Sequence, residues 1–130
     1  DYMGDIHTRL VFYKQIASAK NKEALNDLQI EMIDRYGLLP DTTKRLFKTT
    51  EIKIIASSLG IKKISLKTDT ALIDFNETTK ISPEIIIKLI QVHSARYKLK
   101  SATSLAVKVN PNNDKADELK KIMSELKPDN

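Results

Sequence analysis

At Gly60 the spacing of apolar residues changes from a helical repeat to an extended one, and that change decides the fold class. Before it, Leu25, Leu28, Met32 and Tyr36 recur at steps of three or four, which at about 100° per residue puts them on one side of a helix. After it, Ile61–Lys67 and Ala71–Asn76 alternate with period two, as half-buried strands do. Gly37 and Gly60, two of only three glycines, fall where helical repeats stop. Glycine takes the left-handed conformation that ends a helix, and Pro40 keeps the second helix from resuming.

The rest of the chain follows the same grammar. Asp5 is placed to cap a first helix running to about Ala19, with Ile6, Leu10, Tyr13 and Ala17 as its apolar stripe. Asn21 caps a second, ending at Tyr36. A third, from about Thr42 to Leu59, carries Leu46, Phe47, Ile52, Ile54, Ile55 and Leu59, more than one stripe, as expected of a helix packed on several sides. Thr68-Asp69-Thr70 joins the two strands into a hairpin. Ser82-Pro83-Glu84 supplies a capping hydroxyl, a first-turn proline and an acid for the dipole. The helix it starts holds Ile85, Ile86, Ile87, Leu89, Ile90 and Val92 and is expected to be largely buried. Tyr97–Lys100 and Ser104–Val109 form a second hairpin, and Asp114 opens a last amphipathic helix ending near Leu126. The order α-α-α-β-β-α-β-β-α is that of an α+β domain, with helices packed on one small antiparallel sheet. A length of 130 residues suits a single domain spanning 1–130.

Composition narrows the classes of function. Hydrophobic content of 41% and charged content of 30% are those of soluble globular proteins. Without cysteine there are no disulfides and no thiolate chemistry, and a cytoplasmic setting is expected. No apolar run approaches the roughly 18 residues that span a bilayer, so no membrane partner is expected. No basic-then-apolar leader precedes the first helix, and the chain reads as a piece of a longer polypeptide. The net charge is +5; residues 1–51 hold eight basic and eight acidic groups, so the whole excess lies in 52–130, with fourteen against nine. Eighteen of the basic residues are lysine, a hydrated point charge.

Catalytic equipment is missing from the pattern. There is no phosphate-binding glycine loop, and the two histidines, His7 and His93, have no second His or Cys at ligand spacing. No cofactor and no metal are expected. Asp27, Glu31 and Asp34, all on the side of the second helix away from its core face, could in principle serve acid–base or magnesium chemistry. Such work needs a cleft or a bound phosphate, and neither is indicated. Three carboxylates on an otherwise basic chain suit a solvated face or a protein-binding one. Ile30, beside Asp34 where water gives it no reason to be, favours binding. Arg35 has three available roles: pairing with Glu31 at i, i+4, capping carbonyls at the helix end, or reaching a partner's carboxylate. Arg9 is expected to fold across onto the second helix.

Asp5-Ile6-His7-Thr8-Arg9-Leu10, then Tyr13-Lys14, then Glu31-x-x-Asp34-Arg35-Tyr36-Gly37-x-x-Pro40 resembles the C-terminal domain of bacterial transcription-repair coupling factors. The likeness continues in Leu59-Gly60-Ile61 and Leu72-Ile73-Asp74-Phe75. It implies a non-catalytic regulatory domain of an ATP-dependent DNA translocase that acts on stalled RNA polymerase. In that family the domain packs on a UvrB-like module of the same polypeptide and masks the surface that binds UvrA. RNA polymerase and duplex DNA are met by other domains. The family's Glu-x-x-Asp-Arg motif falls on Glu31, Asp34 and Arg35 and contributes to the intramolecular contact. Tyr36 departs from the family, which more often has Phe. Two rival readings remain: an accessory nucleic-acid-binding domain using the basic second half, and a small standalone enzyme, which would need a pocket with convergent polar groups.

Overall fold

The computed structural model describes residues 6–127, with side chains from His7 onward. Asp5, the expected cap of the first helix, lies outside the described residues. The elements run α1 (Ile6–Ala17), α2 (Lys22–Tyr36), α3 (Asp41–Ser58), β1 (Ile61–Leu66), β2 (Thr70–Phe75), α4 (Pro83–Val92), β3 (Tyr97–Ser101), β4 (Ser104–Lys108) and α5 (Lys115–Leu126). The class is α+β, in the order the sequence dictates. The chain divides into two compact units, Asp1–Ile54 and Ile55–Asn130.

In the first unit Phe12, Ile16, Leu25, Met32, Leu39 and Phe47 form the core, with Tyr13, Leu28, Tyr36 and Leu46 packed against it. The core face of α2 is the expected one. That of α1 is not: Leu10 is 59% exposed and Ala17 is exposed, while Phe12 and Ile16 are buried. Two apolar stripes compete on α1; Phe12 and Ile16 turn inward, removing more apolar surface from water than Leu10 and Ala17 would, while Tyr13 packs at the edge of the core. The buried Thr43 hydroxyl lies 3.5 Å from that of Tyr13. Asn21 caps α2 by accepting from the Ala24 N–H at 2.8 Å.

The second unit is built on an antiparallel sheet of order β1-β2-β4-β3. The two hairpins are joined by β2–β4 pairing, with Ala71 opposite Val107 and Ile73 opposite Leu105. These residues share one face with Phe75 and Tyr97, and all six are buried. α5 covers that face with Leu119, Ile122, Met123 and Leu126. It is tied down at Glu125, which accepts a short hydrogen bond from the Tyr97 hydroxyl and two from Arg96, at 3.2 and 3.3 Å. Helix α4 departs from expectation, since none of its residues is fully buried and Ile87 and Val92 are 53% and 64% exposed. An all-round apolar composition marks a helix for burial only if neighbours exist on every side.

Both glycine stops have positive φ, +79° at Gly37 and +75° at Gly60. At Gly60 space is short as well. A Cβ there would meet Thr79 Cα at 2.3 Å and Thr79 N at 2.8 Å. The 76–81 segment closes on this corner: Asn76 N–H donates to the Gly60 carbonyl at 2.9 Å and the Thr79 hydroxyl to the Leu59 carbonyl at 2.8 Å. Gly60→Ala therefore combines left-handed strain with a backbone clash and should cost about 2–4 kcal/mol. Gly37→Ala, with nothing within 4 Å, should cost about 1–2 kcal/mol. Urea titration of both variants checks the ranking.

Burial alone would raise the Glu125 carboxyl, but the bonds from Tyr97 and Arg96 outweigh it and hold the group below the usual carboxylate range. Burial and the adjacent carboxylate push the Tyr97 phenol up. A depressed carboxylate contributes stability that is complete above its unfolded value of about 4.3 and lost as pH falls through its lower folded value. Glu125→Gln should accordingly flatten the fall in stability below about pH 4.3, while lowering stability at neutral pH by about 1–3 kcal/mol. Urea midpoints from pH 3 to 7 test both.

Candidate interaction face on the second helix

The 3.6-residue repeat that turns Leu25, Leu28, Met32 and Tyr36 inward turns Asp27, Glu31 and Asp34 outward, and all three are exposed. Ile30, 59% exposed, stands beside them. The five site residues expected from sequence thus share one outward-facing surface of α2. Among the described residues no cluster of three or more His, Cys, Asp or Glu side chains has the arrangement of a metal site.

Arg35 has a job that none of its three expected roles included. Its guanidinium lies 5.4 Å from the Phe12 ring centroid and 5.6 Å from that of Tyr36. The two rings meet edge to face at 5.7 Å. Its Nη1 also comes within 4.0 Å of Glu31 Oε2, the outer limit of an ion pair between two half-exposed side chains. That pair contributes only a few tenths of a kcal/mol. Stacking on two rings is worth more, about 0.5–1 kcal/mol at an exposed site. It fixes the guanidinium at the border of the carboxylate row, with part of its fork still open to solvent. Phe12 was the missing signal, because the stack becomes visible only once the inward face of α1 is known.

Sequence reasoning also missed Ile33 and Leu38. They are 47% and 86% exposed and border a groove of about 300 Å³ between α2 and α3, floored by Leu25, Leu39 and Phe47, with Lys44 on the far rim. Ile30, Ile33 and Leu38 therefore set an apolar margin between the groove and the carboxylates. A contiguous apolar margin with charged borders is the usual form of a protein-binding surface. Leu38 could have been noticed in Gly37-Leu38-Leu39-Pro40, where only one of the two leucines can turn inward from a tight turn. His7 and His93 lie exposed, and His93 caps the end of α4, its ring tilted 6.4 Å from that of Tyr97.

The fold and this face define an α+β module that carries a row of carboxylates beside an exposed apolar margin on its second helix. The chain belongs to the TRCF domain family, whose model matches residues 1–86. It is 41% identical over 98 residues to the transcription-repair-coupling factor of Haemophilus influenzae and 38% identical over 105 residues to that of Escherichia coli. These stretches cover 75% and 81% of this chain and 9% of each relative. The fold is that of a crystal structure of the C-terminal domain of transcription-repair coupling factor, with a TM-score of 0.76 at 20% identity, covering 96% of this chain and 80% of that one. No helix among the described residues is long and apolar enough to cross a membrane.

Carboxylates that face water carry little folding energy. Asp27→Lys, Glu31→Lys and Asp34→Lys should each shift stability by no more than about 0.5 kcal/mol, whereas Arg35→Ala should lose about 0.5–1 kcal/mol with its stack. Thermal denaturation of the four variants separates the two kinds of residue.

Proposed function

We propose that residues 1–130 act as one C-terminal regulatory domain of a larger coupling factor, working by binding and not by chemistry. The domain packs on the UvrB-like module of its own polypeptide and masks the surface through which that module binds UvrA. The mask lifts when the ATP-dependent translocase engages stalled RNA polymerase on duplex DNA. The observation that carries this reading is the outward row of Asp27, Glu31 and Asp34 set against the exposed apolar margin of Ile30, Ile33 and Leu38. Folding makes little use of either, and a basic partner with an apolar anchor would use both.

The division of labour follows from the physics. Rim carboxylates steer the partner and set register, and their effect falls with salt. Apolar side chains entering the groove between α2 and α3 supply the affinity that salt does not weaken. Arg35, held on its two rings, presents part of its fork to a partner carboxylate at little further entropic cost. A tether raises the effective concentration of the two surfaces, so a modest intrinsic affinity closes the clamp and still allows release.

In the complete coupling factor, Glu31→Lys/Asp34→Lys should give constitutive UvrA binding in a pull-down without translocation. The same pair should weaken this domain for the separate UvrB-like module roughly ten- to a hundredfold at low salt, as calorimetry reads it. Leu38→Asp should weaken it by a similar factor at every salt concentration. Wild-type affinity in the double charge variant would remove this face from the contact.

A further inference from the structure

Strand pairing gathers lysines that look scattered along the chain. Residues opposite one another in register point to the same side of a sheet. On the side away from α5, Lys63, Asp74 and Ser104 form one row, Ser65, Leu72, Ala106 and Lys98 a second, and Thr70 and Lys108 a third. Lys62 and Lys100 sit at the bulges of the two edge strands, and Lys67 follows the last residue of β1. All six lysines are exposed. The one acid in these rows, Asp74, is half-buried and takes a short hydrogen bond from the Ser104 hydroxyl. Asp69 lies beyond the rows, in the β1–β2 turn.

We infer that this outer sheet face binds the sugar–phosphate backbone of duplex nucleic acid without reading its sequence. Lysine is the compact point charge that suits phosphate, and Ser65 adds a hydroxyl able to bond a phosphate oxygen, while the Thr70 and Ser104 hydroxyls donate to Asp69 and Asp74. The rows contain no aromatic side chain, so single-stranded bases find no stacking platform. They contain no Arg, Asn or Gln to read base edges in a groove. Lys63 and Lys98 lie on opposite edge strands, three strand spacings across and one row apart along the strands, about 16 Å in all, enough to reach across a major groove about 12 Å wide. Lysines on β1 and β3 also keep open sheet edges from pairing with another chain. That task needs neither Lys108 on an inner strand nor a single sign of charge. The inference goes beyond the clamp, since it uses the second unit and none of α2.

The test is fluorescence anisotropy of a labelled 20-base-pair DNA titrated with the chain at 50, 100 and 200 mM NaCl. Neutralisation by three lysines, one from each row, gives a log–log salt slope of about −2.7, hence roughly a fortyfold loss of affinity over that range. Lys63→Glu/Lys98→Glu/Lys108→Glu should weaken binding at 50 mM by roughly a hundredfold. Lys14→Glu/Lys20→Glu/Lys22→Glu, which lowers net charge equally on the first unit, should change it by less than about threefold. The same sheet triple made with Gln keeps the readout if three glutamates disturb the sheet. Absence of binding at 50 mM, equal losses in both triples, or tighter binding of single strands or of polyglutamate than of the duplex would each overturn the assignment.

Discussion

The backbone at Gly60 is the constraint on which the arrangement of the second unit rests. Within two residues, Leu59 and Gly60, the chain leaves α3 and enters β1, with φ at +75° at Gly60, a conformation that costs any side-chain-bearing residue. The 76–81 segment then packs its own backbone where a side chain would sit. Hydrogen bonds from Asn76, Thr79 and Lys80 satisfy the carbonyls of Leu59 and Gly60. One corner therefore ends a helix, starts a strand and anchors the loop leading from β2 to α4.

Helix α2 divides its surface among three tasks by angle alone. One side fills the core, one holds carboxylates that contribute little to folding, and between them Ile33 borders an apolar groove that Leu38, just past the helix end, also lines. Arg35 belongs to two of these regions. Its stack on Phe12 and Tyr36 supports the α1–α2 contact, and its exposed edge borders the carboxylate row. The Arg96–Tyr97–Glu125 group in the second unit is a different use of the same residue types. There the charges are partly withdrawn from water, the hydrogen bonds are mutual, and the result is a fastener between β3 and α5. Exposure decides which group holds the fold together and which remains available to a partner.

Membership of the TRCF domain family came from residues concentrated in the first sixty-one positions, and the family model matches 1–86. The solved C-terminal domain shares the fold over 96% of the chain at 20% identity. A fold needs periodicity, capping and turn residues at the right places, and many sequences satisfy those demands. A run such as Glu31-x-x-Asp34-Arg35 is made of particular side chains, so it is legible as residues.

Helix and strand boundaries, the caps at Asn21, Ser82 and Asp114, the glycine stops and the outward carboxylates were all determined by the sequence alone. Each depends on neighbours within a few positions, where backbone geometry leaves one solution. Tertiary structure decided what depends on distant partners. It chose Phe12 and Ile16 over Leu10 and Ala17 as the inward face of α1, and it left α4 half-exposed despite its isoleucines. It gave Arg35 its rings, and by pairing β2 with β4 it brought Lys63, Lys98 and Lys108 onto one surface. The reason is the same in each case. Apolar burial and strand pairing reward any compatible partner, and which partner is reached depends on how the whole chain closes.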